Sequence, residues 1–154
     1  MKKTKRFKAY YRSPLGWLRI EGEGPSLHAL EFAAKKGIGA ASALPAKVNR
    51  ELAEYFKGKR KRFSLRLDPK GTPFQQKVWK ALQKVSHGKK VSYSALAERI
   101  GRRKSVRAVA NAVGRNKLAI LIPCHRVVGK DGSLTGYAYG LKKKAWLLRR
   151  EKSL

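Results

Sequence analysis

The chain has 154 residues, with 38 Lys and Arg against 9 Asp and Glu, a formal net charge of +29, a single cysteine and an apolar fraction of 42%. One cysteine excludes an intrachain disulfide framework and a multi-thiolate metal site. No apolar run reaches the roughly 18 residues of a membrane span, and the apolar content excludes a disordered basic tail. The basic Met1–Lys8 stretch leads into no uncharged core, so no secretory leader is expected. Residues 1–77 carry 19 basic and 6 acidic side chains, and residues 78–154 carry 19 and 3. A charge spread this evenly points to a polyanionic partner. Nucleic acid is favoured over an anionic membrane, because no segment pairs a Lys-rich face with a long apolar one.

In chain order, residues 7–22 read as a hairpin: Phe7, Ala9 and Tyr11 alternate, Ser13-Pro14-Leu15-Gly16 supplies the turn, and Trp17 to Ile20 resumes the strand. Residues 26–32 form a third strand, and 33–44, rich in Gly, Ala and Lys without a period, a loop. Residues 46–57 place Val48, Leu52, Tyr55 and Phe56 at helical spacing, with Gly58 as the stop. Residues 63–67 alternate again and predict a fourth strand. Asp68-Pro69-Lys70-Gly71 marks a boundary, giving domains at 1–68 and 69–154.

The second domain opens on Thr72-Pro73-Phe74-Gln75, a capping box with proline at the first helical position. Phe74, Val78, Leu82 and Val85 form the buried stripe of its first helix. A short strand at Val91-Ser92-Tyr93 precedes a helix starting near Ser94, with Leu96 and Ile100 inward and Gly101 at its end. Ser105 caps a third helix whose Val106, Val109, Ala110 and Val113 face the core. Two short helices across a glycine turn predict a helix-turn-helix, with Arg107, Asn111, Gly114 and Arg115 outward to meet DNA. Ala119 to Ile122 predicts a buried strand running into Pro123-Cys124-His125-Arg126. A lone cysteine is ordinarily a small core hydrophobe. Here an imidazole and a guanidinium follow it, and either cation stabilises the nucleophilic thiolate when in contact.

These residues resemble a known family. Ile122-Pro123-Cys124-His125-Arg126-Val127-Val128 is similar to the active-site signature of the O6-alkylguanine-DNA alkyltransferases. The likeness extends along the chain through Ser13-Pro14-Leu15-Gly16, Glu54-Tyr55-Phe56-Lys57-Gly58, Phe74-Gln75, Val78-Trp79, Arg107-Ala108-Val109, Gly114-Arg115-Asn116, Gly136-Tyr137 and Trp146-Leu147-Leu148. The resemblance implies an α/β (α+β) protein with a small ribonuclease-H-like sheet-and-helix lobe before a helical lobe carrying the helix-turn-helix. It also implies one-step repair, in which an alkyl group moves irreversibly from guanine O6 to Cys124.

Residue by residue, the resemblance makes His125 a base acting through water and Glu151 the group that orients it. Tyr93 becomes the hydrogen-bond donor to the leaving base, Asn116 a hinge, and Arg107 the side chain that fills the space of the flipped nucleotide. Ser105, Asn111, Gly114 and Arg115 join Tyr93 and Arg107 at the DNA, and Tyr137, Ala138 and Tyr139 line the alkylguanine pocket. Flipping is required because O6 lies inside the base stack. The expected partner is double-stranded DNA entered from the minor groove. The protein is expected to be a cytoplasmic monomer (nucleoid-associated, or nuclear in a eukaryote), with no membrane contact, cofactor or metal.

The sequence departs from the family at Lys117, where proline is usual, and at Ala138-Tyr139, which predicts narrow tolerance for bulky O6 substituents. His28 and His87 read as structural. Lys57 to Arg62 reads as a solvated or phosphate-facing surface. Rival readings are a non-catalytic lesion sensor, which Cys124 argues against, and a thiol hydrolase.

Overall fold

The computed structural model describes residues 4–37 and 43–154, and the chain divides into two compact units, Met1–Pro69 and Lys70–Leu154. In the first unit β1 (Arg6–Ser13), β2 (Gly16–Glu23) and β3 (Ser26–Ala33) form an antiparallel meander. The helix α1 (Ala46–Phe56) then returns the chain to β4 (Arg66–Leu67), which pairs parallel to β3. The β1–β2 turn works as its residues predict: Ser13 Oγ accepts from Leu15 N–H at 3.0 Å and donates to the Gly16 carbonyl at 2.8 Å. Gly22 lies at a register shift in β2, where a Cβ would stand 2.3 Å from the Ser26 carbonyl oxygen, so only glycine fits. Alternation buries Leu18 and Ile20 of β2. With Leu27 and Leu30 of β3 and Val48, Leu52 and Tyr55 of α1 they make the core.

The fourth strand is shorter than residues 63–67. Ser64 gives its N–H and hydroxyl to Glu51, at 2.8 and 2.6 Å, and the Phe63 ring sits 5.4 Å from Tyr55, so this stretch is tied to α1 and only Arg66–Leu67 joins the ladder. The middle of the predicted 33–44 loop, residues 38–42, lies outside the described residues.

The second unit contains α2 (Pro73–Gln83), β5 (Val91–Ser92), α3 (Tyr93–Arg99), α4 (Val106–Gly114), a 3-10 turn at Cys124–Arg126, β6 (Val127–Val128) parallel to β5, and α5 (Leu141–Arg150). The capping box forms: Thr72 Oγ1 accepts from Gln75 N–H at 3.1 Å, and Gln75 Oε1 accepts from Thr72 N–H at 3.0 Å. Phe74 is only half-buried, and Trp79 takes the central place in the stripe, donating Nε1–H to the Ala112 carbonyl of α4 at 2.9 Å. α3 starts at Tyr93, one residue before the predicted start, and its cap is Ser92, which accepts from Ala95 N–H at 3.0 Å. Gly101 ends the α3 segment at φ +72°, the left-handed backbone that glycine adopts freely. Ser105 stands at the cap position of α4, yet its side chain makes no capping hydrogen bond. Ala112, not Ala110, completes the buried face of α4 with Val109 and Val113.

The predicted strand at Ala119–Ile122 does not form. The segment coils into a tight turn, with Ile122 N–H bonded to the Leu118 carbonyl and Leu121 N–H to the Ala119 carbonyl, both at 2.8 Å. Among the described residues no helix is long and apolar enough to cross a membrane.

Candidate active site

Everything in the site is built around a turn that one side chain holds open. Buried Asn116, just past α4, donates Nδ2–H to the Ile122 carbonyl at 2.8 Å and accepts Leu118 N–H on Oδ1 at 2.9 Å. An amide that serves both backbone donors and acceptors replaces ladder bonds, which is why the apolar run turns here. The turn places buried Ile120 at φ +71°, a conformation costly for a β-branched residue. It delivers Pro123 and then Cys124, the first residue of the 3-10 turn.

Cys124 opens onto a cavity of about 220 Å³ that also meets Tyr93, Gly114, Asn116 and the 136–139 segment. That is smaller than the roughly 300–1,000 Å³ of drug-sized sites and suits one flat ring system. Burial pushes the thiol up from its ordinary value, while the Asn116 side chain and the Lys144 ammonium draw it back. Arg126 is not among the groups that act on the thiol, so its adjacency in sequence does not become contact. Its guanidinium faces Glu151, with Nε to Oε1 at 2.8 Å and Nη2 to Oε2 at 3.1 Å, and Nη1 donates to the Val85 carbonyl at 2.6 Å.

The next residue, His125, is fully buried and its Nε2 lies 2.8 Å from Glu151 Oε2. Burial alone would raise the Glu151 carboxyl, but hydrogen bonds and charge from His125 and Arg126 hold it well below the usual carboxylate range. Burial also depresses the imidazole, outweighing the pull of Glu151. An ionised carboxylate only accepts, so the neutral ring must carry its proton on Nε2. Nδ1, buried and without a protein partner, therefore keeps its lone pair.

Tyr93 opens α3 and donates its hydroxyl to the Thr135 carbonyl at 3.2 Å. Burial, then the neighbouring Cys124, raises this phenol, so it stays a neutral O–H donor at ordinary pH. The wall opposite is held by a residue that sequence reasoning missed. Lys144, fully buried on α5, donates Nζ–H to the carbonyls of Thr135 at 2.9 Å and Gly136 at 3.0 Å. Burial lowers its ammonium from 10.5 to about 8, with Cys124 acting the other way. In a Leu-Lys-Lys-Lys run nothing local distinguishes the buried lysine from its neighbours. Tyr137 and Tyr139 meet edge to face, with centroids 5.5 Å apart, and Ala138 lies between them in the cavity wall.

The outward face of α4 divides. Gly114 borders the cavity, and an added Cβ there would meet only open space. Ser105, Arg107 and Asn111 instead line a shallow groove with Lys104 and the Thr72–Gln75 end of α2. Exposed Arg115 caps α4 and borders neither. The structure thus gathers Cys124, Tyr93, Asn116, Gly114 and Tyr137–Tyr139 at one cavity, pairs His125 with Glu151 in the interior, leaves Ser105, Arg107 and Asn111 in a separate groove, and places Arg115 at neither.

A helix-turn-helix pair, followed by a buried thiol on a small cavity and a histidine paired with a buried carboxylate, defines the class of protein to which the chain is compared. Residues 7–69 match the family described as 6-O-methylguanine DNA methyltransferase, ribonuclease-like domain, and residues 73–153 match its DNA-binding domain. The chain belongs to the 6-O-methylguanine DNA methyltransferase family. It is 42% identical over 152 residues to the methylated-DNA–protein-cysteine methyltransferase of Methanosarcina barkeri, spanning 92% of this chain and 94% of that one. Over 108 residues it is 52% identical to the constitutive enzyme of that name from Bacillus subtilis, spanning 70% of this chain and 66% of the other. The crystal structure of Mycobacterium tuberculosis OGT in complex with DNA superposes with a TM-score of 0.87 at 39% identity, over 95% of this chain and 92% of that one.

Proposed function

We propose that this protein repairs DNA as a methylated-DNA–protein-cysteine methyltransferase, moving an alkyl group from guanine O6 to its own Cys124, once and irreversibly. The observation that carries the reading is the buried Cys124 on a cavity sized for one base, followed in the chain by His125 with Nδ1 unbonded and Nε2 fixed by Glu151. Family membership and the DNA complex of the mycobacterial relative support DNA as the partner.

In the proposed reaction His125 Nδ1 takes the thiol proton through an intervening water, and Glu151 stabilises the imidazolium that forms. The thiolate attacks the alkyl carbon in line, so the S–C bond forms as the C–O6 bond breaks and its electron pair stays on guanine. The Tyr93 hydroxyl donates to the base that leaves. Lys144 fixes the backbone of the wall and favours the thiolate by its charge. Asn116 holds the α4-to-Cys124 turn. The thioether has no route back to thiol, so each molecule reacts once.

Ser105, Arg107, Asn111, Gly114 and Arg115 form the DNA-facing side of α4, which enters the minor groove, and Arg107 occupies the space of the flipped nucleotide. The protein works as a monomer in the cytoplasm. Tyr139, beside the pocket, restricts the alkyl group, so a benzyl substituent reacts much more slowly than methyl; Tyr139→Gly narrows that difference. Comparable rates for the two alkyl groups in the unsubstituted protein refute the restriction.

Incubation with duplex DNA carrying O6-methylguanine is expected to leave one methyl per protein, on Cys124, and none on a Cys124→Ala variant. Transfer by that variant or repeated turnover overturns the reading. Binding without transfer favours a lesion sensor, the reading Cys124 argues against.

A further inference from the structure

The reaction above leaves the charge of the first unit without a use. Residues 1–69 carry 17 basic and 6 acidic side chains, whereas the cavity and the α4 groove are lined only by residues of the second unit. The excess is densest in the strap leaving α1, where Lys57, Lys59, Arg60, Lys61 and Arg62 are interrupted only by Gly58.

This strap is anchored from its inner side. At the end of α1, Gly58 N–H bonds the Tyr55 carbonyl at 2.9 Å and Lys59 N–H bonds the Glu54 carbonyl at 2.8 Å, a Schellman closure with Gly58 at φ +76°. Arg60 turns back: its guanidinium lies 3.4 Å from Glu54 and 3.7 Å from Glu51, and donates to the Arg62 carbonyl at 2.7 Å. Ser64 closes the far end on Glu51. The two carboxylates of α1 are thereby committed to Arg60, Ser64 and, for Glu54, Arg50. Lys57, Lys59, Lys61 and Arg62 are exposed, and no carboxylate pairs with them among the described residues.

Four unpaired cations on a fixed backbone repel one another, and a polyanion relieves that repulsion. Six residues reach at most about 20 Å, less than the roughly 34 Å of one duplex turn, so the whole cluster can follow a single stretch of phosphates. A membrane is a poorer match, because the exposed large apolar residues among those described, Leu141 and Leu154, both lie in the second unit.

We propose that the Lys57–Arg62 strap is a second DNA contact, which holds the phosphodiester backbone without regard to sequence and independently of α4. It rests on the preceding reading only in taking DNA as the partner. A second, tethered contact lengthens the stay on undamaged DNA while α4 searches.

The test uses the full chain and an unmodified duplex of mixed sequence, with log Kobs followed against log salt. The Lys59→Gln/Lys61→Gln/Arg62→Gln variant is expected to lower the slope by about 2 to 3 and to weaken binding by about tenfold or more at about 0.1 M salt. A matched variant of exposed lysines outside the strap, Lys5→Gln/Lys8→Gln/Lys35→Gln, is expected to change the slope by less than about 1. The charge-preserving Lys59→Arg/Lys61→Arg/Arg62→Lys variant should keep the original slope. Methyl transfer from free O6-methylguanine base should be equal in all four proteins; its absence from the unsubstituted protein would count against the proposed reaction and not against the strap. An unchanged slope in the strap variant, or an equal fall in the matched variant, overturns the proposal. So does strap-dependent binding to phosphatidylglycerol vesicles with the DNA slope unaltered.

Discussion

Each unit buries one carboxylate among the described residues, and the two are held by similar means. Glu51 of α1 takes the N–H and hydroxyl of Ser64, with the Arg60 guanidinium 3.7 Å away. Glu151 takes Nε2–H of His125 at 2.8 Å and a bidentate Arg126. Burial alone would raise both carboxyls, and the donors around each outweigh it, so both sit below the ordinary value. The difference is one ligand. A serine hydroxyl ends the chain of polarisation, so Glu51 only closes the strap on its helix. An imidazole has a second nitrogen, and in His125 that Nδ1 is buried without a hydrogen-bond partner, which the proposed reaction uses as the proton acceptor. A buried ion pair is therefore structural or chemical according to whether its neighbour can pass a proton on.

The largest expected effect separates these two roles. Glu151→Gln should slow single-turnover methyl transfer by about 10²-fold or more, the usual scale of general-base assistance. Glu51→Gln should leave the rate of the folded protein within about twofold. Both substitutions should destabilise, since breaking a buried pair costs up to about 3–5 kcal/mol. Rapid-quench measurement of labelled methyl on the protein decides the matter. Equal slowing by both variants would erase the distinction.

Acid provides a second way to break the comparison. The His125 imidazole is depressed in the folded state, so below its ordinary value of 6.5 the unfolded chain binds the extra proton and stability falls. Glu151 and Glu51 are also depressed, so the stability they contribute is present above 4.5 and is lost as pH drops below it. Denaturation midpoints should decline first between about pH 6.5 and 4.5 and more steeply beneath. His125→Gln should remove the first decline and leave the second. A midpoint that is flat from pH 7 to 5 in the unsubstituted protein would show that His125 is not held neutral.

Both units are legible in the sequence where neighbouring residues decide the structure, as at the Ser13–Gly16 turn and the Gly58 stop of the first unit. Capping by Thr72 and Gln75, the glycine after α3 and the string around Cys124 are all read from neighbouring residues. Adjacency leaves open which of His125 and Arg126 meets the thiol, because a 3-10 turn has three residues per turn and sends successive side chains about 120° apart. Ala119–Ile122 is apolar enough for a strand, and periodicity does not distinguish a buried strand from a buried turn. The deciding group, the Asn116 amide, acts on backbone two to six residues ahead. Glu51 and Lys144 look like solvated charges on their helices. What buries them comes from elsewhere in the chain: Arg60 and Ser64 for one, the carbonyls of Thr135 and Gly136 for the other.

The two arginines sharpen the contrast at a smaller scale. Arg126 is almost wholly buried and saturates Glu151, while Arg60 has a 24% exposed side chain and spreads over two carboxylates. Arg126→Met should cost about 3 kcal/mol, because Glu151 is left buried without its main counter-charge. It should also slow transfer by about tenfold as the carboxylate that aligns His125 loosens, an order-of-magnitude figure on the scale of lost outer-shell contacts. Arg60→Met should cost about 1 kcal/mol, because solvent screens much of its attraction. Its transfer rate should not change. Slower transfer by the folded Arg60 variant would mean that the first unit feeds into the chemistry.

Ser64→Ala is the smallest of these changes and isolates what the serine does. It removes one hydroxyl from the Glu51 carboxylate but leaves the Ser64 backbone N–H in place at 2.8 Å. A hydrogen bond to a charged, buried acceptor is worth about 1.5–3 kcal/mol. Arg60 and the remaining N–H still satisfy part of the carboxylate, so the expected loss lies near the bottom of that range. Urea denaturation of the variant should show a lower midpoint with an unchanged slope, because no additional surface is exposed. Its methyl-transfer rate should equal that of the unsubstituted protein at every pH from 6 to 8. A shift in that profile would require a proton path from Glu51 to Cys124, which a hydroxyl bound at a dead end does not supply.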